Sequence, residues 1–164
     1  VAKTREAAVA GAKLVVFHEC AVTGYGFRNR ADAVACGEPA DGPSVRLLSD
    51  ACATLGTFVA FGFLETSGER LFNSCALVGP NGLVACYRKV HLPCIGADRF
   101  TDPGDRPFAV HDLGGLKVGL HICFDGSFPE SARVMALQGA DAILLPTNWA
   151  DKAIRMARLV PRTR

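Results

Sequence analysis

The chain has 164 residues, 49% of them apolar and 21% charged, which describes one globular domain with a core to bury and excludes a fibrous or disordered chain. Its 18 basic and 16 acidic side chains nearly balance, and no stripe of Lys/Arg interleaved with aromatics appears, so no nucleic-acid partner is expected. The longest apolar runs, such as Leu14–Phe17 and Ala142–Leu145, are too short to span a bilayer, and no membrane partner is expected. The seven cysteines, at 20, 36, 52, 75, 86, 94 and 123, form no C-x-x-C pair and no zinc-type spacing with histidine. Their odd count and irregular spacing argue against a disulfide framework, and a reducing cytoplasm is the expected location. Cys52, Cys75 and Cys86 lie inside apolar patterns and are expected to be small core residues.

Residues 1–12 are Ala-rich and read as the tail of a helix ending at Gly11. Lys13 to His18 reads as a buried strand with Glu19 at its carboxyl end. The stretch 23–42 reads as irregular. Ser44 is the expected helix N-cap, because Val45, Leu47, Leu48, Ala51 and Leu55 repeat with helical spacing up to Gly56. Three antiparallel strands follow, at Thr57–Leu64, Leu71–Val78 and Leu83–Val90, joined by a turn at Gly68 and by the hairpin signal Pro80-Asn81-Gly82.

Leu92–Asp105 is a loop rich in Pro and Gly, and Pro107–Asp112 pairs with Leu116–Ile122 around Gly114-Gly115. A helix is expected over Phe128–Gly139, with Pro129 near its first turn and Glu130 favourably placed against the dipole. A strand at Asp141–Leu145 and a helix at Asp151–Val160 complete the pattern, and Arg155, Arg158, Arg162 and Arg164 read as that helix's solvated face. Helices alternating with buried strands predict α/β layers rather than an all-β barrel.

Three stretches each end an apolar run on a reactive side chain: Val15-Val16-Phe17-His18-Glu19, Tyr87-Arg88-Lys89 and His121-Ile122-Cys123. A thiol, a carboxylate and an ammonium are the parts of a covalent acyl-transfer site: one attacks a carbonyl, one moves protons and one stabilises the oxyanion. Cys123 falls between a strand and a helix, where amide donors and a helix N-terminus would favour thiolate; the competing reading is a buried core cysteine. Glu19 either leaves a doubly buried strand as a proton carrier or simply faces water. Arg88 and Lys89 are either an exposed cationic pair or, because strand alternation parts them, one cation pointing inward.

The segments LVVFHECAVTGY (14–25), YRKVHL (87–92) and VGLHICFDGSFPE (118–130) resemble the signature segments of the nitrilase-like carbon–nitrogen hydrolases, on their amidase side. The resemblance implies a single α/β domain over 1–164, a four-layer αββα sandwich. It further implies a strand before residue 1 and strands after residue 164 that are not in this chain. It assigns Glu19, Lys89 and Cys123 as catalytic, with the Phe124 N–H joining Lys89 around the oxyanion. It places Asn148 and Trp149 in the substrate pocket, although Trp149 is as readily packing for the adjacent helix.

The chain departs from the family pattern at three places. His18 replaces the usual proline, and either tunes the carboxylate or merely occupies the turn. In the stretch 93–100, Asp98 is the only carboxylate available to stand for the family's second glutamate. Phe124-Asp125 follow the cysteine where nitrile hydrolysers generally carry Trp-Glu, which favours amides. His91 is an alternative base, or structural.

The implied activity is hydrolysis of linear amides or N-carbamoyl compounds through a cysteine thioester, with no metal and no organic cofactor. The implied assembly is a homodimer or larger homo-oligomer through helices at 128–139 and 151–163. Two other classes stand beside it: an inactive scaffold that binds or oligomerises through exposed sheet edges, and a thiol-redox protein.

Overall fold

The computed structural model describes residues 1–149. The expected helix at 151–160, its arginines and the outer oligomer helix lie outside the described residues. Helix α1 (Ala2–Val9) leads into β1 (Leu14–Val16), and a six-residue helix α2 (Arg30–Ala35) interrupts the stretch expected to be irregular. Asn29 caps α2, its side chain accepting the Asp32 N–H at 2.9 Å. Helix α3 (Pro43–Leu55) starts two residues earlier than the pattern suggested. Gly42 is its N-cap, and Pro43 supplies the fixed φ of a first helical residue. Ser44 is therefore inside the first turn, its N–H donating to the Glu38 carboxylate at 2.8 Å. Gly56 ends α3 in the left-handed region at φ 62°.

Strands β2 (Phe58–Ser67), β3 (Arg70–Gly79) and β4 (Gly82–Arg88) are the three expected antiparallel neighbours, and β1 joins them parallel to β2, giving the order β1-β2-β3-β4. A second sheet has the order β5-β6-β7, from Val110–Asp112, Lys117–Leu120 and Ala142–Leu144, with β6 and β7 parallel. Helix α4 (Pro129–Leu137) lies between β6 and β7 in sequence.

Alternation along the strands sorts side chains onto two faces. Val59, Phe61, Phe63, Ala76 and Val78 pack against Val45, Leu48 and Cys52 of α3. Ala60, Cys75, Leu77 and Tyr87 point the other way and meet Val118, Leu120 and Leu144 of the second sheet. On that sheet's far side a Cβ at Gly119 would collide with Met135 of α4, so helix and strand touch backbone-close there. The layers run α3, first sheet, second sheet, α4, which is the αββα sandwich. Cys52 and Cys75 are core residues as expected, whereas Cys86 is only half-buried and its Sγ lies 3.5 Å from the Glu65 carboxylate.

Candidate active site

The residues singled out from sequence sit just past the carboxyl ends of three strands. After β1 the chain turns sharply at Glu19-Cys20, with Cys20 at φ 50°. That turn lies directly on β2: a Cβ at Gly62 would fall 2.7 Å from the Glu19 Cα. Lys89 follows β4 and keeps the ladder going, its N–H donating to the Asn73 carbonyl of β3 at 2.8 Å. Cys123 opens a short 3-10 helix (Cys123–Ser127) at φ 45°, and its N–H donates to the Pro146 carbonyl beyond β7 at 2.9 Å. A second 3-10 helix (Gly96–Arg99) carries Asp98 inward.

The pleat separates the two adjacent cations. Arg88 goes to the α3 face, and Lys89 goes to the face between the sheets, where its side chain is 0% exposed. The Lys89 Nζ donates to Glu19 Oε1 at 2.6 Å and to Asp98 Oδ2 at 2.5 Å. The Asn73 Nδ2 donates to the same two carboxylates, at 2.8 Å to Glu19 Oε1 and 2.7 Å to Asp98 Oδ1. The Tyr25 hydroxyl donates to Asp98 Oδ2 at 3.0 Å, and the backbone N–H of Asn148 to Glu19 Oε2 at 3.2 Å. The Cys123 thiol also hydrogen-bonds the Glu19 carboxylate. Glu19, Lys89, Asp98 and Cys123 therefore form one buried cluster.

Burial alone would push the Lys89 ammonium down, but the carboxylates of Glu19 and Asp98 outweigh it and hold the lysine above its ordinary value. For Cys123, burial pushes the thiol up and the Glu19 carboxylate adds to it, to about 12, against the weaker pull of the Asn148 N–H and Lys89. This corrects the expectation of a favoured thiolate. The resting cysteine is a neutral thiol, because its nearest charged partner is an anion and the helix after it is a single short turn. Burial likewise raises the Tyr25 hydroxyl, and Asp98 raises it further.

The remaining predicted residues are placed as follows. Phe124 is half-buried, its ring edge-on to Phe128 at 5.3 Å, and its N–H falls in the first turn of the 3-10 helix, where amides lack an intrahelical acceptor. Asn148 reaches the cluster through its backbone and exposes its side chain. Trp149 is half-buried against the inter-sheet core that includes Cys123. The exposed His18 turns its ring to the Glu19 backbone carbonyl at 2.9 Å, so it occupies the turn. His91 is structural: it stacks on Phe128 at 3.9 Å, and its Nδ1 pairs with Asp125 at 2.8 Å.

Two residues, Asn73 and Tyr25, were given no role from the sequence, and Asp125 was read there only as a departure from the family pattern. Asn73 and Tyr25 complete the carboxylate cluster. Asp125 accepts from the Tyr87 hydroxyl at 2.8 Å, the His91 N–H at 2.9 Å and the Ile122 N–H at 3.1 Å, pinning the Cys123 turn to the segment after Lys89. The available signal was polarity: Asn73 interrupts the apolar run of β3, and a polar residue buried in a strand needs partners. A separate cavity of about 260 Å³ beside Tyr87, Arg106, His111 and Leu120 is lined by none of the cluster residues. Among the described residues no group of His, Cys, Asp and Glu is arranged to hold a metal ion, and no helix is long and apolar enough to cross a membrane.

Known proteins resemble this chain along most of its length. A nitrilase from Pyrococcus abyssi is 43% identical over 145 residues, which is 88% of this chain and 55% of that protein. An omega-amidase from Homo sapiens is 34% identical over 152 residues, 87% of this chain and 54% of that protein. The chain thus spans about half the length of these curated relatives. In fold, it matches an amidase from Nesterenkonia sp. AN1, a variant with acrylamide added at its active-site cysteine, with a TM-score of 0.75 at 22% identity over 96% of this chain and 63% of that one. The family model for carbon-nitrogen hydrolases matches residues 1–159, and the chain belongs to that family.

Proposed function

We propose that the protein hydrolyses non-peptide C–N bonds of small linear amides or N-carbamoyl compounds through a thioester on Cys123. The observation that carries this reading is the Glu19 carboxylate bound at once to the Lys89 ammonium and the Cys123 thiol. Lys89 and Asn73 both hold Oε1, which leaves Oε2, near the Asn148 N–H, for the thiol proton. In the first step the sulfur bonds to the carbonyl carbon while its proton moves to Glu19. The oxyanion gathers against Lys89 and the Phe124 N–H. Collapse of this adduct breaks the C–N bond, and Glu19 passes its proton to the departing nitrogen, releasing ammonia or an amine. Water then attacks the thioester with Glu19 as base, the acid product leaves, and the thiol regains its proton.

A thiol held at about 12 suits this sequence, because the proton moves with the attack instead of before it. Asp98, held by Lys89, Asn73 and Tyr25, stands for the family's second carboxylate. Phe124, Asn148 and Trp149 flank the acyl side. The reaction needs no metal and no organic cofactor. Amides are favoured over nitriles because the carboxylate after Phe124, that of Asp125, is engaged by Tyr87, His91 and Ile122 rather than turned to the cluster. The adduct of the Nesterenkonia amidase, on a cysteine in the same fold, supports Cys123 as nucleophile. Seven unpaired cysteines suit a reducing cytoplasm, and the exposed Val134 and Leu137 of α4 suit self-association.

The test is ammonia release from short aliphatic amides, carbamoyl amino acids and nitriles, with Cys123→Ala alongside. Release from amides that falls at least about a thousandfold in the variant is expected. Undiminished release in Cys123→Ala would reject the assignment.

A further inference from the structure

Asn73 lies at the centre of the cluster, in β3 opposite Leu64, with its side chain on the face between the sheets. We propose that Asn73 is a positioning residue, whose side-chain amide clamps Glu19 and Asp98 around Lys89 in their charged forms and keeps Glu19 turned to Cys123 as an acceptor. This rests on the reading of Glu19 as the proton carrier.

Four contacts carry the inference. The Asn73 Nδ2 donates both its hydrogens, one to Glu19 Oε1 at 2.8 Å and one to Asp98 Oδ1 at 2.7 Å. Its Oδ1 lies 3.7 Å from the Cys20 Sγ, which donates to it and fixes which way the amide faces. Its backbone carbonyl accepts the Lys89 N–H at 2.8 Å. One residue thus grips both carboxylates by its side chain and the lysine by its main chain. The reversed amide would point a carbonyl oxygen at two anions.

Charge explains the need for such a clamp. Among the described residues, the groups facing the two carboxylates besides Asn73 are Lys89 after β4, Cys20 and Tyr25 after β1, Cys123 after β6 and the Asn148 N–H after β7. Only Lys89 among them is a cation, so two carboxylates share one ammonium in a site with almost no water access. Neutral donors must supply the rest. Without Asn73 each carboxylate loses a donor, and a proton from water is the simplest replacement. A protonated Glu19 cannot accept the thiol proton. Packing offers no competing reason for asparagine, since it is a poor strand former set among Leu71, Phe72, Cys75 and Leu77.

The experiment is the pH dependence of alkylation by iodoacetamide, a neutral probe, in the wild-type protein and in Asn73→Ala, Asn73→Ser and Cys123→Ala. The wild type is expected to show one fast thiol, absent in Cys123→Ala, whose rate falls on the acid side. In Asn73→Ala that acid limb moves to higher pH by about one unit or more, the size expected when a hydrogen bond to an ionised group is removed. Asn73→Ser, which keeps one donor, falls between the two. Should the alanine variant not fold, the serine variant decides alone. A limb that stays in place while the rate drops evenly at all pH values overturns the proposal and leaves the site reading intact. A wild type whose fast thiol survives in Cys123→Ala overturns both.

Discussion

Two buried charge clusters sit back to back across β3 and β4, and their difference shows how one sheet separates support from chemistry. On the α3 face, Arg88 sets its planar fork on Glu65, with Nε to Oε2 at 3.0 Å and Nη2 to Oε1 at 2.5 Å, and reaches Asp105 at 2.9 Å. It also stacks on Phe72, 3.9 Å from the ring centre. Arg70 and Arg106 add further positive charge to these carboxylates. On the inter-sheet face, Lys89 is a point charge between two carboxylates, and among the described residues only neutral groups help it. A guanidinium that never gives up its proton suits a brace. A compact ammonium with spare negative charge and a thiol beside it suits a site where protons move.

The largest expected effect comes from exchanging the two losses. Lys89→Met should lower amide turnover by about a hundredfold to a thousandfold, the range for removing an oxyanion partner, with the same substrate panel as the readout. Arg88→Ala should instead destabilise the fold by about 3 kcal/mol in denaturant unfolding, since it strips the buried Glu65 of its paired guanidinium and leaves it only the Ser74 hydroxyl and Arg106 at 3.8 Å. The molecules that remain folded should turn over normally. If the Arg88 variant lost turnover at full stability, the division of labour between the two faces would be wrong.

A finer break targets geometry alone. Gly62 is far from the ends of its strand, yet a Cβ there would lie 2.7 Å from the Glu19 Cα and 2.8 Å from its carbonyl carbon. Backbone cannot yield as a flexible side chain can, so Gly62→Ala should push the Glu19-Cys20 turn away from Lys89. Turnover should fall by about a hundredfold, as expected for a displacement near 1 Å, while the α3 face and its ion pairs stay as they are. Near-normal kcat/KM in this variant would mean that the turn tolerates movement.

Much of this division was legible in the sequence, and the rest fails for physical reasons. Apolar runs ending on Glu19, Lys89 and Cys123 predicted the strand ends, because burial demands continuous hydrophobicity up to the residue that leaves the sheet. Alternation predicted that Arg88 and Lys89 part company. It did not predict that both would be buried, since Glu65 and Asp105 arrive from positions 23 and 17 residues away. Asn73 and Tyr25 act only through partners distant in sequence, and Asp125 mainly so, through Tyr87 and His91, so a linear reading has little cue for them beyond polarity in an apolar setting. The short α2 escaped because six residues carry little periodicity. The thiolate expectation failed because it weighed the helix that follows Cys123 and not the carboxylate that reaches it from the other sheet.

The smallest effect is a pH signature that separates the faces at opposite ends of the scale. Burial alone would raise the Glu65 carboxyl, but hydrogen bonds from Arg88 and Ser74 outweigh it and hold it below the ordinary glutamate value. A carboxyl lowered on folding adds stability that is complete above its unfolded value and disappears as pH falls through the folded one. Lys89 runs the other way. Its ammonium is held up, so its contribution is complete below the ordinary lysine value and is lost as pH rises through the folded one. Glu65→Gln should therefore lower Tm at neutral pH and converge with the wild type in acid, leaving the alkaline limb untouched. A Tm deficit that stayed constant from acid to neutral pH would mean that Glu65 contributes through shape and not through charge.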